Sequence, residues 1–490
     1  MALRRAWVRG VVAVCAVLGA AGPGAPARAA RVPGGDWTQF GYDARRSGVG
    51  PAATGITAAN VRALRLRTVR LDGTVDAAAL ELHGIEVRGR AYDMVVVTTS
   101  YGRTIALAAG TGRRLWEYTP SDIGGYAGSY QVTTATPIAD PDRRYVYAAT
   151  PDGLIHKLAL ASGREVRSGK WPVRITFLPT REKVASSLNI SGGSVVAVTG
   201  GYLGDAPPYQ GHVVMIDRRS GHITHVFNVL CSDRHGLIGS PASCPASDAA
   251  IWSRAGAVIE PGSRRILIAT GNGPFNGSSD WGDSVLELSA DGGRLLHNWT
   301  PTDQAALSDS DTDLGSSSPA LLPLHLAVQG GKDGLLHLLD LARLNGTSGG
   351  AGPRLGGQLQ DIASPGGGEV LTQPAVWGHD GRTYLFVADS AGTAGYLLSG
   401  GRTPRLRVAW RSGAAGTSPV LAGGLLYVFD PAGSLRVYNP VSGATLAVLP
   451  SAGGHWNSPI VVGGRVILPV GSYQDHATRG TLEIYHLPGR

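Results

Sequence analysis

Short apolar runs alternate with Gly-, Pro- and Asp-rich turns along most of the chain, as in Met94-Val-Val-Val-Thr-Thr99, Tyr145-Val-Tyr147 and Ile266-Leu-Ile-Ala-Thr270. Helical periodicity is almost absent, so the pattern predicts an all-β protein. One unit recurs: an apolar strand, a turn containing Gly, and a second strand that often ends in Trp. It is clearest in Ile105-Ala-Leu-Ala-Ala-Gly-Thr-Gly-Arg-Arg-Leu-Trp116, with weaker echoes from Ile155, Val213, Val285, Leu336, Tyr396 and Leu435 and a truncated copy, Leu482-Glu-Ile-Tyr-His-Leu487. The spacing, roughly 40 to 70 residues, is that of a four-stranded propeller blade with loops of variable length. Units enter through Pro-bearing segments such as Ala135-Thr-Pro137, Ser318-Pro319, Gln373-Pro374, Ser418-Pro419 and Ser458-Pro459. Pro at a strand's first position removes no ladder hydrogen bond.

The last unit lacks its outermost strand, and the strand Leu64 to Leu71 has no unit of its own. The two deficits cancel if the N-terminal strand completes the C-terminal blade. The expected fold is therefore a β-propeller of eight four-stranded blades closed in that way. A ring of seven is the alternative, because Asp233 to Trp252 is irregular. Within Leu64-Arg-Leu-Arg-Thr-Val-Arg-Leu71 the alternation predicts Leu64, Leu66 and Thr68 on one face and Arg65 and Arg67 on the other. This reads as an edge strand guarded by solvated arginines rather than a binding patch.

Residues 1–29 read as a secretory signal: Arg4, Arg5 and Arg9 precede the apolar run Val11 to Ala21, and Ala27-Arg28-Ala29 offers a small-residue cleavage site. The run is too short to span a bilayer, and Val14 before Cys15 argues against lipidation. Residues 30–60 form a lead-in and 61–490 the propeller. The mature protein is expected to be secreted or to reside in the periplasm or cell envelope. The formal charge of +8 includes Arg4, Arg5, Arg9 and Arg28 of the signal, and the remaining excess does not call for nucleic acid. Cys231 and Cys244 survive processing. In an oxidising compartment a disulfide is their default, since a zinc site would lack a second Cys or His pair.

Asp36-Trp-Thr-Gln-Phe-Gly-Tyr-Asp-Ala-Arg-Arg-Ser-Gly48 and Ile56-Thr-Ala-Ala-Asn-Val-Arg-Ala-Leu64 resemble the opening of the pyrroloquinoline-quinone (PQQ) alcohol dehydrogenases and their non-catalytic relatives. The unit ending in Trp116 resembles that family's tryptophan-docking repeat. The resemblance covers most of the chain and is strongest from Trp252 to Lys332, where Ile268-Ala-Thr-Gly-Asn-Gly-Pro-Phe-Asn276, Gly282-Asp-Ser-Val-Leu286, Thr300-Pro-Thr-Asp303 and Asp309-Ser-Asp-Thr-Asp313 follow the family's order. It implies Asn272 as the amide ligand to calcium and Asp313, or alternatively Asp311, as catalytic base. It also implies Lys332 of Gly330-Gly-Lys-Asp-Gly334 on the quinone oxygens and Trp252 as the platform under the cofactor. Asp205 is the acid nearest the expected glutamate ligand, so the implied metal set is Asn272, Asp205 and Asp313. A hard dication wants oxygen ligands and a carboxylate can remove the alcohol proton, so the residue types suit the reaction.

The chain departs from the family in having no adjacent cysteine pair and in carrying Ala108 where the docking unit usually has Asp. Each residue also has a plain structural reading. Asn272 between two glycines suits a left-handed turn, the Asp309–Asp313 stretch a solvated loop, Lys332 a hairpin, and Trp252 interblade packing. Gly271-Asn-Gly273 leads into Pro274 rather than a helix, so it is no dinucleotide loop. Two functions remain open. One is a PQQ- and calcium-dependent dehydrogenase acting on an alcohol or sugar hydroxyl and passing electrons to a separate acceptor. The other is a non-enzymatic propeller binding a protein or a cell-envelope polymer.

Overall fold

A computed structural model describes residues 35–239, 243–345 and 355–489; the proposed signal segment lies outside the described residues. Eight four-stranded antiparallel sheets follow one another along the chain, with strands paired in sequence order within each. Blades 1 to 7 span residues 80–118, 138–174, 189–228, 258–299, 320–363, 375–412 and 420–450. Blade 8 takes Ile460–Val462, Arg465–Val470 and Gly480–His486 from the C-terminus, and Arg65–Leu71 adds its outermost strand. The register runs from Arg65 opposite His486 to Leu71 opposite Gly480. The ring therefore has eight blades closed by the N-terminal strand, and seven is ruled out. Helix is confined, among the described residues, to single turns and the short Gln304–Asp309.

The closing strand corrects one expectation. Leu66 is exposed, whereas Val69 is partly covered and Leu71 is buried. The inward set is thus Arg67, Val69 and Leu71. Val69 fixes this choice, because its Cγ atoms occupy the space above Gly112 that any side chain there would need. The sheet period of two then sends Leu66 outward.

Tryptophans hold blade to blade. The Trp116 indole N–H of blade 1 donates to the Leu160 carbonyl of blade 2 at 2.7 Å, and its ring covers Gly163. Trp410 of blade 6 repeats this on blade 7, donating to Pro440 at 2.8 Å over Gly443. Each indole buries a large apolar face while satisfying its one polar group. The Gly in each turn is required because a Cβ would enter the indole.

The lead-in is a strap across one face of the ring. Thr38 accepts from Ala139 of blade 2, Ala44 from Ile259 of blade 4, Ser47 from Val376 of blade 6, and Gly48 from Leu421 of blade 7. These contacts fall on the innermost strands, which fixes the strap at one end of the channel. Phe40 packs between Ala78, ahead of blade 1, and Ala255, ahead of blade 4. Arg46 is 1% exposed and donates to the carbonyls of Phe40, Ser187, Leu188 and Ala255. Burial lowers its pKa to about 9, still above neutrality, so it folds as a cation satisfied by carbonyl dipoles. The strap stoppers the channel at this end.

Replacing Arg46 by Met leaves four buried carbonyls short of a donor and is expected to lower unfolding stability by about 3 kcal/mol. The exposed neighbour Arg45→Met is expected to change it by less than about 0.5 kcal/mol. Denaturant midpoints of the two variants check this; equal midpoints would refute the stopper role.

Candidate functional site

Because strands alternate in direction, the turns joining second to third strands all lie at the end away from the strap. The blade 3 turn carries Asp205, the blade 4 turn carries Asn272 and Asp283, and the blade 5 turn carries Lys332. The connections between blades bring in Trp252 and the segment 300–319. The short helix Gln304–Asp309 ends at Ser310, and Asp311 then turns back with φ 52°. The chain thereby points the next aspartate, Asp313, down into the protein.

Asp313 is 4% exposed and forms the hub. Its Oδ1 accepts the Asn272 backbone N–H at 2.8 Å, and its Oδ2 pairs with the Lys332 ammonium. Gly271 is needed at this point, since a Cβ there would collide with Asp313 Oδ1. Lys332 Nζ also reaches Asp311 Oδ1 at 3.1 Å and the Asp311 carbonyl at 3.0 Å. The ammonium lies 5.5 Å from the Trp252 ring centroid. Burial raises the Asp313 pKa from the usual aspartate value, against the pull of Lys332. Burial also works against the Lys332 charge, but Asp313 and Asp311 more than restore it.

Asp205 stands at the rim. It is exposed, with φ 44°, and accepts from the Tyr209 hydroxyl at 2.8 Å. Its pKa is raised by desolvation and by Asp311. Beneath Asp313, Asp283 is wholly buried; its Oδ1 accepts the Leu314 N–H at 3.1 Å and its Oδ2 has no partner. Burial, with Asp313 adding to it, pushes its pKa up to about 8, so Asp283 is largely a neutral acid at pH 7.

Below the mouth the channel wall is aromatic and charged. Trp252 and Trp456 lie 5.5 Å apart between centroids, and Trp456 stacks on His455 at 4.2 Å. Arg254 Nη2 crosses from the entry of blade 4 to Asp76 at the entry of blade 1, 2.7 Å away, and His455 Nδ1 meets the other Asp76 oxygen at 2.8 Å. Desolvation opposes the Asp76 charge, yet Arg254 and His455 outweigh it and hold the pKa down at about 2.

The structure thus gathers Trp252, Asn272, Asp311, Asp313 and Lys332 at one place, with Asp205 at its edge. It separates Asp311, exposed, from Asp313, buried, which the spacing alone left open. Cys231 and Cys244 form the expected disulfide, with 6.0 Å between Cα atoms. Sequence reading passed over Asp283, although it sits in the quoted Gly282-Asp-Ser segment, and also Asp76, Arg254, His455 and Trp456. A second acidic group, Glu81, His83 and Asp93, comes together on blade 1. There the Arg465 guanidinium of blade 8 already bridges Glu81 and Asp93, so the group reads as an ionic clasp between the first and last blades.

The family model for "outer membrane protein assembly factor BamB", a PQQ-type repeat, matches residues 90–222. The quinohemoprotein alcohol dehydrogenase ADH IIB of Pseudomonas putida is 24% identical over 359 residues, which is 65% of this chain and 47% of that protein. The chain therefore spans about half the length of the curated relative it matches. Among solved structures, the quinohemoprotein alcohol dehydrogenase of Comamonas testosteroni superposes with TM-score 0.65 at 17% identity, covering 95% of this chain and 82% of that one. A europium-containing methanol dehydrogenase gives 0.64 at 15% identity, covering 92% and 98%. BamB of Moraxella catarrhalis gives 0.52 at 14% identity, covering 87% and 99%. The chain is an eight-bladed β-propeller, similar over residues 90–222 to the BamB family model and similar in fold both to quinoprotein dehydrogenases and to BamB.

Asp283 keeps its proton in the folded state up to about pH 8, whereas an unfolded aspartate loses it at about pH 3.9. The folded state binds more protons between these values, so stability falls as pH rises through that window. Asp283→Asn keeps the neutral shape and is expected to remove the fall, so that its gain over wild type is larger at pH 8 than at pH 5. Denaturant unfolding at both pH values tests this, and an equal difference at each would refute the buried neutral acid.

Proposed function

We propose that the chain is an exported quinoprotein-type dehydrogenase that oxidises an alcohol or sugar hydroxyl at the open mouth of the propeller. PQQ and calcium would be its cofactors and a separate carrier its electron acceptor. The observation that carries this reading is the meeting of Trp252, Asn272, Asp313 and Lys332 at the mouth of a stoppered channel.

The residues fit such cofactors in chemistry. The Asn272 amide makes no side-chain hydrogen bond among the described residues, and Asp283 Oδ2 is buried without a partner beside Asp313. Asp205, Asp311 and Asp313 outnumber the one ammonium, Lys332, so the mouth has charge to offer a dication. Asn272, Asp205 and Asp313 would hold calcium, and Trp252 would support the quinone plane. When bound, the metal and quinone supply Lewis-acid polarisation and a hydride acceptor.

This chain's residues handle the proton. Asp313 is fixed by the Asn272 N–H on one oxygen, which aims the other toward Lys332 and the mouth. Lys332 has a second carboxylate within reach; as it leans toward Asp311, Asp313 Oδ2 becomes free to accept a hydroxyl proton. Burial raises the proton affinity of Asp313, which suits a general base. Asp283, neutral beneath it, adds no competing negative charge.

A non-enzymatic propeller binding a protein or envelope polymer is the second reading, favoured by the match of residues 90–222 to the BamB family model. Calorimetric titration of the mature protein with PQQ, with and without calcium, separates the two. The expected result is calcium-dependent binding that Asn272→Ala abolishes; no binding in either condition removes the quinoprotein reading. Asp313→Asn is expected to retain PQQ and to lower turnover of alcohols with an artificial acceptor about 100-fold or more. Undiminished turnover would take Asp313 out of the chemistry.

A further inference from the structure

Lys183 lies in the channel wall below the mouth, on the two-residue strand Glu182–Lys183 that pairs with Gly200–Gly201. Its residue is 6% exposed. Its ammonium has no ion pair and no hydrogen-bond acceptor among the described residues; its one close companion is the face of Tyr473, 3.9 Å from Nζ to centroid. The other buried Lys and Arg side chains among the described residues each have a polar partner: Arg46 four carbonyls, Lys157 the Arg218 carbonyl at 2.6 Å, and Arg254 the Asp76 carboxylate. Asp76, the nearest acid, is already shared between Arg254 and His455. An ammonium largely desolvated and with no direct ion pair is costly for a fold to hold, and the little of Lys183 that stays exposed is open to a ligand. Desolvation, reinforced by Arg254, pulls its pKa to about 7.

The position is specific. Gly200, opposite Lys183 in the strand pair, is so close to Trp252 that an added Cβ would lie 3.2 Å from the Trp252 Cβ. The unpaired cation therefore neighbours the aromatic platform. Arg254 stacks over Trp456 at 5.1 Å and has its own Nε buried without a partner. Two cations thus line one wall beside two indole faces.

We infer that Lys183, assisted by Arg254, is an anion subsite that takes a carboxylate of a planar aromatic ligand lying against Trp252. The inference rests on the quinone reading only for the identity of that ligand. The lysine serves binding at the expense of the ligand-free fold: an incoming carboxylate supplies the missing partner and a flat ring covers the Trp252 indole.

The test uses the mature wild-type protein, Lys183→Met and Lys183→Arg, with PQQ and the simple planar probe pyridine-2,4,6-tricarboxylate. Calorimetry is expected to show the tricarboxylate binding wild type and Lys183→Arg, and binding at least tenfold more weakly to Lys183→Met. Ligand-free Lys183→Met is expected to melt at a higher temperature than wild type, because it loses an unpaired buried charge. A purely structural lysine would give the opposite shift. Equal tricarboxylate affinity in wild type and Lys183→Met, or no tricarboxylate binding to wild type, overturns the subsite. Lys183-dependent tricarboxylate binding without any PQQ binding upholds the subsite while removing the quinone reading.

Discussion

Everything at the mouth depends on the seven-residue antiparallel pairing that joins Arg65–Leu71 to Gly480–His486. Closing the ring leaves no gap between the first and last blades, and the innermost strands converge on one axis. Convergence brings residues far apart in sequence to the same few ångströms: Arg254 meets Asp76, and His455 meets Asp76 across 379 positions. An open array of the same blades would leave these groups as solvated charges. The Arg465 clasp to Glu81 and Asp93 acts at the same seam and ties blade 8 to blade 1 from the side.

The strap converts the ring into a vessel with one opening. Strands alone would leave a channel open at both ends, and a ligand held there would remain in contact with water from either side. Phe40 and Arg46 fill the far end. Closing that end excludes water from it, which lowers the local dielectric and strengthens the charge interactions there. At the other end, local burial under the turns of blades 4 and 5 raises the pKa values of Asp313 and Asp283.

The blades were legible because their signal is local. A strand, a Gly turn and a Trp within a dozen residues suffice to recognise the unit ending in Trp116, and the Trp is needed there to cover the Gly163 turn of the next blade. The closing strand was legible as a deficit at each end, but its facing was not. Counting alternation from Leu64 put Leu66 inward, whereas the contact of Val69 with Gly112 decides the register, and that contact is tertiary. At the site, residue types could nominate Asp311 and Asp313 together. Only the positive-φ turn at Asp311 separates an exposed carboxylate from a buried one. Asp76, Arg254, His455 and Trp456 carried no local signal, because each acquires its role from partners on other blades.

The mouth and the wall below it hold charge in opposite ways, and the contrast is informative about what enters. At the mouth, acids exceed cations, and Lys332 is shared between two carboxylates. On the wall, Arg254 is matched by Asp76, while Lys183 has no ion pair among the described residues. Packing accounts for neither imbalance, since apolar residues of similar size would fill both places at lower electrostatic cost. A ligand carrying a carboxylate at one end, and drawing a cation to the other, would cancel both at once. On the proposed reading, the two imbalances on either side of Trp252 have one origin, a single polarised guest, rather than two unrelated ones.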